Sequence, residues 1–176
     1  MTNRKKHIIR LAYAALCAAL CVALPPVFHM IPNFGTMFSP MHLPVLLCGL
    51  LCGWQYGLGC GIVGPLLSSL ITSRPPMAML PPMMIECAVY GLVCGLMLKL
   101  VKTRSLYANL YISLVTSMLI GRIIAAISKA LIFAPGEMTF GVFVSSYFVG
   151  TFPGMILQLA IIPTLIFALK KAKLAP

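Results

Sequence analysis

Two basic side chains interrupt an apolar stretch that otherwise has the composition of a membrane helix. Arg122 and Lys129 lie within residues 107–133, seven positions apart, so about two helical turns place them on one face. Ionisable side chains inside a membrane are costly, face the protein interior or water, and usually serve function. The chain has only two acidic residues, Glu86 and Glu137, which cannot neutralise both cations within the bilayer. The pattern predicts a buried, positively charged pocket for a small anionic group.

Each of the two cations also has a structural interpretation. Lys129 lies close to the end of its predicted helix, from where its long side chain could reach the membrane interface. Arg122 lies about 22 Å from the start of that helix at Tyr107, which is too deep for its side chain to reach the interface in the same way. Its alternative is a structural ion pair with Glu86 on the preceding helix, and that pair would still leave one cation over.

Several polar residues are weaker candidates for the same pocket. His29, Asn33, His42 and Gln158 would each be unremarkable alone as satisfied loop or core residues. Together with nearby phenylalanines they could form an apolar pocket with a few polar anchors, which is how small-molecule sites are built. The predicted substrate-binding residues are therefore Arg122, Lys129, Glu86, His29, Asn33 and Gln158.

The composition is that of an integral membrane protein. Of 176 residues, 61% are hydrophobic and 9% are charged, against about a quarter charged in soluble domains. We expect a single membrane domain over residues 1–176, without a separate soluble domain. The net charge of +11 comes from basic residues near the start, in the loop around residues 99–104 and near the end. Such clusters mark cytoplasmic segments and contacts with anionic lipid, so no nucleic-acid partner is predicted.

Hydrophobic stretches separated by Pro and Gly predict an all-α protein with six transmembrane helices. Pro25-Pro26 is expected to end the first helix, and the proline pairs at 75–76 and 81–82 to exclude a helix before residue 83. The first stretch is interpreted as a membrane helix rather than a cleaved signal peptide. Six spans place both termini and the basic middle loop on one side, which the charges identify as cytoplasmic. The predicted helices cover about 8–24, 42–54, 57–72, 83–100, 107–133 and 142–169.

The second and third helices have an alternative as one long broken helix over 42–72. They carry glycines at every fourth position, Gly49, Gly53, Gly57 and Gly61. Small residues at this spacing let membrane helices approach closely, either within the chain or against a partner. The alanine pairs of the first helix form a smooth face that favours a partner, and the predicted docking residues are Ala14, Ala15, Ala18 and Ala19.

Motifs for catalysis and for bound metals or cofactors are missing from the sequence. The chain has no Walker A motif, no H-E-x-x-H and no G-x-S-x-G, and almost no carboxylate for acid–base chemistry. Its seven cysteines include no C-x-x-C and are expected to pack as small apolar residues. We therefore predict neither an enzyme nor a cofactor or metal site, and ATP hydrolysis would have to come from partners.

Several segments resemble the substrate-binding S components of energy-coupling factor (ECF) vitamin transporters. The sequence MHLPVLLCG at 41–49, followed by GWQYG at 53–57, is similar to the second and third helices of these proteins. The resemblance extends to PLLSSL at 65–70, the Pro75-Pro76 loop, and Glu86 with Tyr90-Gly91. It also includes Gly121-Arg122 and the alanine-rich first helix, so it covers nearly the whole chain.

The resemblance implies a plasma-membrane subunit that binds a vitamin-like substrate on the outer side. It also implies docking through the first helix onto a transmembrane coupling subunit driven by two ATPases. The excess of positive charge favours a carboxylate vitamin, such as pantothenate, a nicotinate-like acid or lipoate, over a cation such as thiamine. Two alternatives stay open: a stand-alone carrier or channel for small anions, and a structural or assembly protein in which Arg122 only pairs with Glu86.

Overall fold

The computed structural model describes residues 3–28, 38–133 and 139–172, and these ranges contain helices but no strand. Two π-helical turns, Lys129–Phe133 and Ser145–Val149, follow α5 and α6. The α-helices are α1 (Asn3–Phe28), α2 (His42–Cys52), α3 (Trp54–Thr72), α4 (Leu80–Leu100), α5 (Leu106–Ser128), α6 (Phe140–Val144) and α7 (Phe152–Lys171).

The helices have the length and surface of a membrane bundle. Four stretches are long and apolar enough to cross a membrane, namely Arg4–Phe28, Leu80–Leu100, Leu106–Phe133 and Gly141–Lys171, and α2 is a shorter apolar helix. Many Leu, Ile and Val side chains are exposed on the outside of the bundle. The predicted all-helical membrane fold is confirmed, and all six predicted helices are present, although the last one is broken.

The short helix α2 forms the centre of the bundle. Nine of its 11 residues are buried, and α1, α3, α4 and α7 pack around it. A helix that is apolar on all sides is stable only where it is covered all round. Because its neighbours enclose α2, each of its two ends has a fixed position in the bundle. The polar residues are described below by the end of the bundle at which they lie.

The junction between α2 and α3 is a single residue. Two helices are present, as predicted, but residues 55–56, which were predicted to separate them, are helical. Gly53 alone breaks the helix, with a φ of 100° that favours glycine. A Cβ on Gly57 would lie 2.7 Å from the Gly49 Cα, so the start of α3 folds back against the end of α2.

Three of the four repeated glycines, Gly49, Gly57 and Gly61, pack closely within the chain. A Cβ on Gly49 would lie 2.6 Å from the Gly91 carbonyl oxygen, and a Cβ on Gly61 would collide with the Cys87 backbone. Both contacts are with α4, whose backbone therefore approaches α2 and α3 closely. This is the small-residue packing of membrane helices, and it favours the first of the two interpretations of the repeat.

Two helix ends predicted from prolines are wrong. The helix α1 continues through Pro25 and Pro26 to Phe28, and α4 begins at Leu80 instead of residue 83, with Pro81 and Pro82 in its first turn. Proline is compatible with a first turn because the N–H groups there have no partner within the helix. Membrane helices also tolerate an internal proline when neighbouring groups compensate for the lost hydrogen bond.

The predicted helix at 142–169 is interrupted before its first proline. It consists of α6, the π-helical turn Ser145–Val149, a turn at 150–151 and then α7. Pro153 lies in the first turn of α7, and Pro163 lies inside α7, which continues past it. π-Helical turns occur frequently at functional sites, and this one directly precedes Thr151, whose contacts are described below.

Candidate functional site: a buried polar cluster

One end of the bundle brings polar side chains from four helices together inside an otherwise apolar protein. We call His42, Glu86, Tyr90, Arg122 and Gln158 the polar cluster. Four of the five side chains are almost fully buried, with exposures of 1–4%, and Glu86 is 13% exposed. The cluster lies where α2, α4 and α7 begin and α5 approaches its end. Groups of this kind are buried only when they are paired or serve function.

Glu86 has partners from two helices. Its Oε1 accepts a hydrogen bond of 2.8 Å from the Tyr90 hydroxyl, one turn further along α4, and lies 3.6 Å from the His42 Nε2. The His42 ring also packs edge-on against the Tyr90 ring, with centroids 4.9 Å apart. These three residues form one connected unit between α2 and α4.

The orientation of His42 favours one charge state in this unit. Its Nδ1 lies 3.2 Å from the Ser39 carbonyl oxygen, and a carbonyl only accepts, so Nδ1 carries a proton. Nε2 then carries a second proton only in the imidazolium form. Since Nε2 faces the Glu86 carboxylate, the favourable state is an imidazolium–carboxylate ion pair. The charge of Glu86 is therefore offset by His42.

Arg122 is held by the segment that leads into α7. Its Nη1 donates to the Thr151 hydroxyl, and that hydroxyl in turn donates to the Tyr147 carbonyl oxygen at 2.8 Å. The Arg122 Cζ lies 6.0 Å from the centroid of the Phe148 ring, at the outer limit of a cation–π contact. The guanidinium is 3% exposed, and its Nε has no hydrogen-bond partner among the described residues.

The structural pair proposed for Arg122 and Glu86 is not formed. Within the described ranges, the ion pair of Glu86 is with His42, and none joins Glu86 to Arg122. A guanidinium has five N–H donors, so one bond to Thr151 leaves most of them available. The structure therefore corrects this alternative and leaves a buried cation that no carboxylate among the described residues contacts.

Gln158 adds an unpaired acceptor to the unpaired donor of Arg122. Its Nε2 lies 3.4 Å from the Phe38 carbonyl oxygen and 3.5 Å from that of Ser39, whereas its Oε1 is buried without a partner among the described residues. Leaving such an atom unpaired costs about 1–3 kcal/mol. A small molecule with an acceptor for Arg122 and a donor for Gln158 would remove both costs.

Buried hydroxyls elsewhere in the bundle are satisfied. Ser113, Ser117 and Ser128 on α5 donate to backbone carbonyls of the preceding turn at 2.7–2.8 Å. Among the described residues, the three buried side-chain atoms without a hydrogen bond are the His42 Nε2, which has only its 3.6 Å ion pair with Glu86, the Arg122 Nε and the Gln158 Oε1. All three belong to the polar cluster, so unsatisfied hydrogen-bonding capacity is concentrated there.

The structure brings together only some of the predicted site residues. Arg122, Glu86 and Gln158 meet in the polar cluster. Lys129 is half-buried at the first position of the π-helical turn after α5, with no hydrogen bond or ion pair to the described part of the chain. His29 and Asn33 lie outside the described residues.

Other members of the site were missed from the sequence. Tyr147, Phe148 and Thr151 carried no motif. The one available signal was their position just before Pro153 in the sequence.

The predicted docking residues on α1 fall into two groups. Ala14 and Ala18 are half-buried and pack against the core. Ala15 and Ala19 are exposed on the outer face of α1, beside Leu16, which is 56% exposed. Only the second pair is available to a partner.

Comparison with known proteins gives one match. The family model described as "ECF transporter, substrate-specific component" matches residues 9–175. No curated protein and no solved structure matches the chain. The family match covers most of α1 and all of α2 to α7, and therefore includes the polar cluster.

Proposed function

The chain belongs to the family of ECF transporter substrate-specific components, and we propose that it captures a small anionic vitamin or related micronutrient. Membership of the family makes it a substrate-binding transporter subunit rather than an enzyme, with a coupling and ATPase module as its partner. The anionic substrate, the binding residues and the docking face are our proposals. They rest on the polar cluster and on the surface of α1.

The observation that carries the proposal is the unsatisfied charge of Arg122. Its side chain is buried; among the described residues it holds one hydrogen bond, to Thr151, and its Nε has no partner. A carboxylate offers two acceptor oxygens that match the planar fork of arginine donors. Because His42 offsets the charge of Glu86, an anionic ligand would complete the neutralisation of the cluster.

The other groups of the site indicate which chemical groups the rest of the ligand should carry. The Gln158 Oε1 accepts, so the ligand should present an N–H or O–H group at a distance from its carboxylate. The Phe148 ring near Arg122 provides an apolar wall for the body of the molecule. Small-molecule sites combine apolar walls with a few such polar anchors, and carboxylate vitamins with an amide or hydroxyl group have this character.

Orientation in the membrane places the cluster where an imported substrate arrives. The basic residues lie near the start of α1, at the end of α4 and at the end of α7, and the positive-inside rule assigns that end to the cytoplasm. The polar cluster lies at the opposite end, which then faces outward. We propose a multi-pass protein of the cell membrane with both termini inside.

The capture proposal is tested by identifying the bound molecule. Small molecules released from the purified protein are analysed by mass spectrometry, and a panel of vitamins is screened for a rise in the melting temperature. We expect a carboxylate ligand that stabilises the wild type and the surface control Arg104→Ala but not Arg122→Ala. An Arg122→Ala protein that binds as tightly as the wild type would refute the site. Uptake into liposomes by the chain alone would instead identify a stand-alone carrier.

Docking on the coupling subunit is tested on α1. We expect Ala15→Trp and Ala19→Trp to abolish co-purification with the coupling module while leaving ligand binding intact, because the added rings fill an exposed helix face. Ala12 is also exposed on α1. The effect of Ala12→Trp on co-purification therefore shows how far the contact extends along the helix. Undiminished association and uptake in the Ala15 and Ala19 variants would exclude this face.

A further inference from the structure

The end of the bundle opposite the polar cluster contains a cavity of about 620 Å³. It opens where the α2–α3 junction meets the end of α4, the start of α5 and the end of α7. Three cations from three helices line it, Arg10, Lys99 and Lys170, next to Trp54. We call this the basic cavity.

The positive charge of the basic cavity is not balanced within the described protein. All three cations are exposed and form no ion pair or hydrogen bond with described residues. The described carboxylate, Glu86, is at the other end of the bundle and is paired with His42. Three uncompensated charges that converge on one cavity repel one another, so an anion from outside the described chain would stabilise this arrangement.

Helix dipoles explain the positions of only two of the three cations. Lys99 and Lys170 lie in the last turns of α4 and α7, where a cation favourably opposes the negative end of the helix. Arg10 lies about two turns inside α1, where the dipole has little effect. The dipoles also do not explain why the three side chains surround a common cavity.

We propose that the basic cavity binds the phosphate headgroup of an anionic phospholipid. Its cations lie near the ends of the candidate spans that finish at Leu100 and Lys171, which is the depth of lipid headgroups. Basic pockets between membrane helices on the cytoplasmic side bind such headgroups, and tryptophan, here Trp54, prefers this interface.

The floor of the cavity favours a lipid over a free anion. Beneath the cations it is lined by apolar side chains, including Leu110 and Ile166, which are 1% and 2% exposed. A polar rim over an apolar floor fits an amphiphile whose phosphate contacts the cations while its glycerol and first methylene groups lie deeper. Inorganic phosphate would gain nothing from the floor.

The test compares lipids and charge variants in the full-length protein. Native mass spectrometry measures retention of phosphatidylglycerol against phosphatidylcholine with the same acyl chains, and thermal unfolding measures stabilisation by each lipid. Each basic residue near a membrane surface contributes about a fivefold gain in affinity, so Lys99→Gln/Lys170→Gln should weaken phosphatidylglycerol binding about 25-fold. Lys99→Arg/Lys170→Arg should restore it.

A matched control removes the same charge from the same end of the protein. Lys5 and Lys102 are exposed but do not line the cavity, so Lys5→Gln/Lys102→Gln should leave binding unchanged. An equal loss in this control, or equal retention of both lipids by the wild type, would overturn the proposal. So would equal stabilisation by inorganic phosphate, which would indicate a free-anion site. If Lys99→Gln/Lys170→Gln lost binding of the coupling module in membranes of phosphatidylcholine alone, the cavity would be a protein contact, and the lipid proposal would be overturned.

Discussion

The two ends of this bundle hold positive charge in different ways. At one end Arg122 is buried in the same cluster as an internally paired carboxylate, and its Nε has no hydrogen-bond partner among the described residues. At the other end Arg10, Lys99 and Lys170 are exposed around an open cavity without a carboxylate among the described residues. Both ends carry unneutralised charge, but only the first carries a large desolvation cost.

This difference separates two kinds of anion site. A buried guanidinium with fixed neighbours is pre-organised, so it can select one small molecule by the placement of its acceptors. Exposed lysines on flexible side chains act as a diffuse field that attracts a phosphate without selecting its shape. We therefore expect selectivity at the polar cluster and general attraction to anionic lipid at the basic cavity.

The largest expected effect tests whether the two ends act independently. Arg122→Ala should weaken ligand binding at least about 30-fold, because removing one partner of a buried charge contact costs about 2–5 kcal/mol. It should leave phosphatidylglycerol retention unchanged. Lys99→Gln/Lys170→Gln should weaken phosphatidylglycerol retention and leave ligand binding unchanged. Isothermal titration with the identified ligand and native mass spectrometry with the lipid measure both quantities. A variant at one end that impairs both would show that the ends are coupled.

A smaller effect tests the rigid core that separates the ends. Gly61→Ala places a methyl group against the Cys87 backbone of α4, and such overpacking costs about 1–3 kcal/mol. We expect the melting temperature to fall by roughly 3–10 °C. Gly59→Ala is the matched control on the same helix, because a Cβ at Gly59 meets no atom within 4 Å. A similar loss in both variants would contradict the packing of α3 against α4.

The sequence predicted the helices well because hydrophobicity and glycine spacing are local signals. The six apolar stretches, the separate α2 and α3, and the unusual position of Arg122 inside an apolar helix were all visible without a structure. Proline was less reliable, since Pro25-Pro26 lies within α1 and Pro81-Pro82 lies in the first turn of α4. A proline limits its own backbone, but neighbouring helices decide whether a membrane helix stops there.

Charge pairing could not be predicted from the sequence because it depends on how the helices pack. Glu86 is paired with His42, more than 40 positions away along the chain, and Arg122 contacts Thr151 in a segment without a motif. The basic cavity was also not foreseen. The positive-inside rule already explained its lysines, and only the fold shows that Lys99, Lys170 and Arg10 converge.

The smallest expected effect distinguishes the roles of residues inside the polar cluster. Tyr90→Phe keeps the ring that packs on His42 but removes the 2.8 Å hydrogen bond to Glu86. Because the 13% exposed carboxylate can take a water molecule instead, the variant should lose about 1 kcal/mol of stability and keep its ligand affinity. Tyr111→Phe, at a 42% exposed position on α5, is the control for removing a hydroxyl and should change neither. If Tyr90→Phe weakened ligand binding as much as Arg122→Ala, Glu86 would contact the ligand itself, and the division between a paired carboxylate and a free guanidinium would be wrong.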